Sequence, residues 1–245
     1  MINKIYNMDC LEGMRKIQDH SIDMILCDLP YGTTRRNKWD SVINFKSLWE
    51  QYKRIIKNNG CICLFSQMPF TVKLIMSNPE MFRYEYIWQK PLATGFLNAK
   101  KMPLKAHENI CIFYKHLPTY NPQFTLGKPY KAMSGRASTN YDKVISNYPT
   151  ICDGKRYPKD VILFKNETGF HPTQKPVSLV EYLIKTYTHK DEIVLDNCMG
   201  SGTTAVACIN TQRQFIGYEI EKKYCDIASK RISNAILNNC TKLFK

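Results

Sequence analysis

The sequence predicts an α/β fold built on a mostly parallel sheet, and three observations carry that expectation. Short apolar runs rich in β-branched residues alternate with segments of helical periodicity along most of the chain. One such run, ending at Asp196, turns through Gly200 and Gly202 into a helical pattern, the crossover at which open α/β sheets bind nucleotides. A later run, "FIGYE", ends on Glu219, placed to accept hydrogen bonds from ribose hydroxyls.

The candidate strands are Asp23 to Cys27, Cys61 to Phe65, Tyr84 to Trp88, Ile110 to Tyr114, Glu192 to Asp196 and Phe215 to Tyr218. Helices fall between them. "NFKSLWEQYKRIIKNNG" sets Phe45, Leu48, Tyr52, Ile55 and Ile56 on one face and stops at the helix-ending pair Asn59-Gly60. In "KPVSLVEYLIKTYT", Pro176 suits a first turn, and Leu179, Val180, Leu183 and Ile184 line one side.

The rhythm breaks over residues 117–159, which carry Pro, Gly, Ser and Tyr and hold no sustained period. From Asn98 to Lys159 there are 11 Lys+Arg and 3 Asp+Glu, more than half of the excess charge of the whole chain. A loop this long is a solvated connector or a functional insertion. In the second case it lies on a phosphate backbone, with Lys128, Lys131 and Arg136 meeting phosphates or bases. The expected organisation is one domain, its parts 1–116 and 160–245 sharing one sheet, with 117–159 inserted.

With 245 residues the chain can bury a full core. Its 35 Lys+Arg against 21 Asp+Glu leave a charge of +14, which points to a polyanion such as nucleic acid, or to an anionic membrane surface. "MINKIYNMDC" has no h-region of a secretory signal, and no run approaches the ~18 apolar residues of a membrane helix, so the expected location is the cytoplasm. The ten cysteines lack CxxC spacing and histidine partners at zinc-finger distances, and they read as reduced core residues with no metal site.

The run Asp23 to Cys27 leads into "DLPYGTT", an acid, a proline, an aromatic and a glycine in succession. Alone, this is a plain strand-to-turn exit or a catalytic turn. The glycine pattern Gly200, Gly202, Ala205 is compatible with a dinucleotide fingerprint. Asp196 argues otherwise: its carboxylate would repel a pyrophosphate but suits the ammonium and sulfonium of S-adenosylmethionine.

"DNCMGSGTT" together with "DLPY" resembles the S-adenosylmethionine-dependent amino-methyltransferases of DNA, in the permuted β-class order with the catalytic motif first. The likeness extends through "NMDCLEGM", "LFSQ", "HPTQKP" and "GYEI" and leaves only the basic middle without a matching motif. It implies a Rossmann-like methyltransferase fold with helices on both faces of the sheet, a basic target-recognition insertion and double-stranded DNA as substrate. A homodimer and a restriction endonuclease partner are left open.

The resemblance also assigns roles. The Asp28 carboxylate and the Leu29 carbonyl would hold the two N–H bonds of an exocyclic amine and localise its lone pair, Pro30 would stiffen the turn, and Tyr31 would stack on the flipped base. Cofactor contacts fall to Asp9, Cys10, Phe65, His171, Thr173, Lys175, Asp196, Cys198, Gly200, Ser201, Gly202, Thr203 and Glu219, with Lys175 pairing with the methionine carboxylate. Arg35, Arg36 and Lys38 would meet phosphates beside the base. His107 and Glu108 are expected to fix the start of a strand. Leu29 departs from the family's usual proline, yet the carbonyl used there is common to both. A leading aspartate favours adenine N6, with cytosine N4, an RNA substrate and a silent nucleic-acid-binding protein as alternatives.

Overall fold

The computed structural model describes residues 1–32, 41–132, 149–170 and 174–243. The chain divides into two compact units, Met1–Asn121 with Asp160–Lys245, and Pro122–Lys159.

In the larger unit β1 (Lys4–Asn7) and the short α1 (Cys10–Met14) lead to β2 (Ile22–Asp28), α2 (Phe45–Ile55), β3 (Ile56–Ser66) and α3 (Phe70–Ser77). The antiparallel pair β4 (Phe82–Thr94) and β5 (Lys105–Phe113) follows. The smaller unit holds two short ladders, β6 (Thr125–Leu126) with β9 (Lys155–Arg156), and β7 (Tyr130–Ala132) with β8 (Thr150–Cys152). Back in the larger unit come β10 (Val161–Leu163), α4 (Val177–Tyr187), β11 (Ile193–Asp196), α5 (Thr203–Thr211), β12 (Gln214–Glu219) and α6 (Lys222–Leu243).

Eight of these strands form one sheet in the order β1-β12-β11-β2-β3-β5-β4-β10. All neighbours pair in parallel except those that involve β5. Every residue of β2 from Ile22 to Cys27 is buried, as expected of a central strand covered on both faces. Alternation then sorts the side chains: Ile25 and Cys27 join Leu48, Tyr52 and Leu74 from α2 and α3, while Met24 and Leu26 join Leu179, Leu183 and Ala205 from α4 and α5.

The structure departs from the sequence expectation at three places. The helix starting at Phe45 ends at Ile55, because Ile56 turns extended (φ −71°, ψ 138°) and pairs with Ile22 of β2, so Asn59-Gly60 lies inside β3. Strands β1 and β10, of four and three residues, sit at the two edges of the sheet and were not anticipated. The smaller unit begins at Pro122 rather than 117, since the Asn121 amide donates to the Thr186 carbonyl at 2.7 Å and Tyr120 packs on Tyr187.

Candidate active site

From β2 the chain crosses through α2 to β3 on one side, and from β11 through α5 to β12 on the other. The order of strands therefore reverses between β2 and β11, which lie side by side with Leu195 opposite Ile25. A crevice opens at the carboxyl ends of strands at such a switch point. Asp28 ends β2 and Asp196 ends β11, so two acids far apart in the chain close neighbouring strands at one cavity of about 730 Å³.

On the β11 side, the Asp196 carboxylate accepts the Cys198 amide at 3.0 Å and the Thr204 hydroxyl at 2.6 Å. Burial nevertheless pushes its pKa up to about 6. Gly200 has φ +53°, and a Cβ there would meet nothing nearer than 4.0 Å, so the bare backbone faces open space. The Gly200 amide donates to Glu219 Oε2 at 2.7 Å and the Glu221 amide to Oε1 at 2.8 Å, tying the glycine loop to the end of β12. Cys198, Ser201 and Thr203 line this half of the cavity. Asp9 and Cys10 line it from α1, where Asp9 also caps the helix by accepting the Leu11 and Glu12 amides at 2.8 and 3.1 Å.

Gly202 plays a different part from the one expected of it. It does not line the cavity. It starts α5 with φ +85°, and a Cβ at this position would lie 2.8 Å from the Ala228 Cβ of α6, so it permits helix packing beneath the loop.

On the β2 side, Leu29, Pro30 and Tyr31 line the cavity with Asp28, and Phe65 at the end of β3 lines it from the next strand. The Tyr31 hydroxyl donates to Asp28 Oδ1 at 2.6 Å, and its ring rests on Phe70 with centroids 4.9 Å apart. The other carboxylate oxygen, Oδ2, is paired with the Lys175 ammonium. Lys175, expected at the methionine carboxylate, is thus engaged with an acid of the chain itself, and Glu108 Oε2 lies 3.5 Å from the same nitrogen. Burial pushes the Asp28 carboxyl above its ordinary value, and Lys175 opposes that rise. Burial also presses on the Lys175 ammonium, but Asp28 and Glu108 outweigh it and hold the group protonated.

A family model described as DNA methylase, of the N6/N4 amino-methyltransferases, matches residues 22–230. The chain belongs to that family. It is 29% identical over 263 residues to the Type II methyltransferase M.BglII of Bacillus subtilis, covering 95% of this chain and 69% of the relative. To M.HpaI of Haemophilus parainfluenzae it is 26% identical over 252 residues, covering 96% and 75%. Among solved structures, the complex of M1.HpyAVI with SAM aligns with a TM-score of 0.63 at 24% identity, covering 94% of this chain and 98% of that one. The cytosine-N4-specific PvuII methyltransferase aligns with a TM-score of 0.68 at 18% identity, covering 96% and 92%.

As a member of the family, this DNA amino-methyltransferase uses S-adenosylmethionine. The cavity suits that cofactor: a buried carboxylate at Asp196 faces it, Glu219 and Asp9 offer acceptors, and Gly200 leaves the loop backbone bare. Among the described residues, no helix is long and apolar enough to cross a membrane.

His171, Thr173, Arg35, Arg36, Lys38 and Arg136 lie outside the described residues. Lys128 and Lys131 belong to the smaller unit and are exposed. Among the cavity residues that the sequence reading missed, two charged ones pair with each other. Glu108, read as fixing a strand start, lines the cavity on β5, and Lys90 of β4 lines it while pairing with Glu108 Oε1 at 2.5 Å. The available signal was a charged residue set against the buried run Ile110 to Phe113, which seldom stands there without a partner.

Proposed function

We propose that this methyltransferase modifies the exocyclic N6 amine of adenine within a short sequence of double-stranded DNA. The observation that carries the reading is Asp28, a carboxylate at the end of β2, sharing one cavity with the loop after Asp196. The Type II relatives M.BglII and M.HpaI support a role beside a restriction endonuclease. The charge of residues 117–159 supports recognition of the target by that region.

The amine of adenine is a poor nucleophile because its lone pair is delocalised into the ring. Asp28 accepts one of its N–H bonds and the Leu29 carbonyl the other, which localises the lone pair and aims it. Pro30 holds the turn that presents that carbonyl. Tyr31 exchanges its hydrogen bond to Asp28 for a face against the flipped base, whose own amine replaces the lost donor. Bound S-adenosylmethionine supplies the methyl group, and Asp196, Glu219 and Asp9 hold it in the other half of the cavity. Asp28 then takes the proton that the methylated amine sheds. Alignment of the two halves accounts for much of the acceleration, with no covalent adduct to the protein.

Incubation with labelled S-adenosylmethionine and unmethylated DNA, followed by digestion to nucleosides, tests the reading. Label in N6-methyladenine is the expected result. Label confined to N4-methylcytosine, or transfer to RNA in preference to DNA, overturns it.

A further inference from the structure

Asp28 stands at one end of a chain of alternating charges drawn from four separate segments. Its Oδ2 pairs with Lys175, which precedes α4; Lys175 Nζ lies 3.5 Å from Glu108 Oε2 on β5; and Glu108 Oε1 pairs with Lys90 of β4 at 2.5 Å. The Lys175 and Glu108 side chains are only 8% and 14% exposed. Both ammoniums lie over aromatic faces, Lys175 5.2 Å from the Phe65 centroid and Lys90 4.6 Å from that of Trp88.

Buried ion chains contribute little to stability, because each charge must first be stripped of water. All four groups line the cavity, and the chain makes sense through Asp28, the member set to meet the substrate amine. A carboxylate that accepts an N–H from a substrate amine has to stay ionised where burial favours its protonated form. Lys175 supplies the opposing charge. Were Lys175 bound to Asp28 alone, its full positive charge would weaken the carboxylate as an acceptor for the amine. Glu108 draws on the same ammonium from the other side, and Lys90 balances Glu108.

We propose that Lys175 is a positioning residue for Asp28, and that Glu108, backed by Lys90, sets how strongly Lys175 acts on it. The inference rests on the methyltransferase reading above. It removes Lys175 from the contacts of the cofactor and gives Glu108 and Lys90 a part in the reaction. The other groups that bear on Asp28 are Tyr31 in the turn, Cys27 on its own strand and Asp196 on β11, while Lys105 of β5 adds to the field at Glu108. None of these is altered in the variants below.

The test compares wild type, Lys175→Met, Lys175→Arg and Glu108→Gln by kcat against pH on DNA and by calorimetric affinity for S-adenosylmethionine. Removing the ammonium in Lys175→Met moves the acid limb of kcat up by about one pH unit or more; Glu108→Gln, which frees Lys175 for Asp28, moves it down. Lys175→Arg restores most of the wild-type profile. Cofactor affinity stays within about threefold throughout, as expected for groups that do not touch it. Cofactor affinity falling by about tenfold or more in Lys175→Met, with the acid limb unmoved, overturns the proposal. If Lys175→Met fails to fold, the downward shift in Glu108→Gln decides alone. Titration of the Asp28 carboxyl by carbon NMR, assigned with Asp28→Asn, reports the same shifts without turnover. A wild type that never methylates DNA would therefore overturn the functional reading and still leave this inference measurable.

Discussion

The Glu219 carboxylate accepts the Gly200 amide at 2.7 Å, so the acid at the end of β12 holds in place the glycine loop that follows β11. Its second oxygen takes the Glu221 amide at 2.8 Å. One side chain therefore shapes the loop and offers an acceptor to the cavity. Hydrogen bonds to charged groups contribute roughly 1.5–3 kcal/mol each, so Glu219→Ala is expected to weaken S-adenosylmethionine binding by about tenfold or more. Glu219→Gln, which keeps one acceptor, should lose less. Calorimetric titration of both variants ranks them, and equal losses would contradict the dual role.

Asp28→Ala separates transfer from binding. The Asp28 side chain meets Tyr31 and Lys175 on the β2 side of the cavity, away from the glycine loop. Methyl transfer should fall by about a hundredfold or more while cofactor affinity changes by less than about threefold. Single-turnover assays alongside calorimetry read the two quantities, and a parallel loss of both would sink the division of roles.

Gly202→Ala attacks the site from below. The new methyl would lie 2.8 Å from the Ala228 Cβ, at a residue with φ +85°. Strain of this kind costs about 1–3 kcal/mol, and it acts on the start of α5 directly under the loop. Thermal melting should show a lowered midpoint and calorimetry a weaker cofactor. A variant as stable as wild type would mean that α6 moves aside freely.

Asp196 makes cofactor affinity depend on pH. Burial pushes its pKa up to about 6, and a sulfonium or ammonium nearby favours the ionised form. Affinity for S-adenosylmethionine should therefore fall as the pH drops through about 6. S-adenosylhomocysteine, which lacks the sulfonium charge, should lose less. For the cofactor-free protein the sign is reversed: the stability linked to Asp196 is fully present below the ordinary carboxyl value and is lost as pH rises through about 6. Affinity and melting temperature measured across this range should move in opposite directions.

Lys128 and Lys131 are exposed in the smaller unit. If they meet phosphates, replacing each with Ala lowers the slope of log affinity against log salt by about one and weakens all sequences alike. Fluorescence anisotropy on specific and unrelated duplexes checks this. A loss confined to one sequence would assign them to base recognition.

Much of the framework was legible because its signals are local. Met24 to Cys27 and Ile193 to Leu195 are apolar runs with an acid at the carboxyl end, and a strand buried on both faces reads as such a run. The Gly200 turn and Glu219 follow at a spacing set by one crossover helix. Ile56 misled because its apolar character fits a helix face as well as a strand, and only pairing with Ile22 chose between them. Val161–Leu163 is too short to carry a period and became a strand by docking against β4.

The sequence by itself determined the α/β class, the two acid-tipped strands and the glycine loop, since each is written in consecutive residues whose backbone preferences and burial follow from their order. What only the tertiary structure decided is who meets whom at Asp28. Lys175, Glu108 and Lys90 lie on three segments, and their ion pairs form through space where β2, β5, β4 and the approach to α4 converge. Coulombic attraction in a buried cavity depends on distance and dielectric rather than on position along the chain, so no local pattern could reveal it.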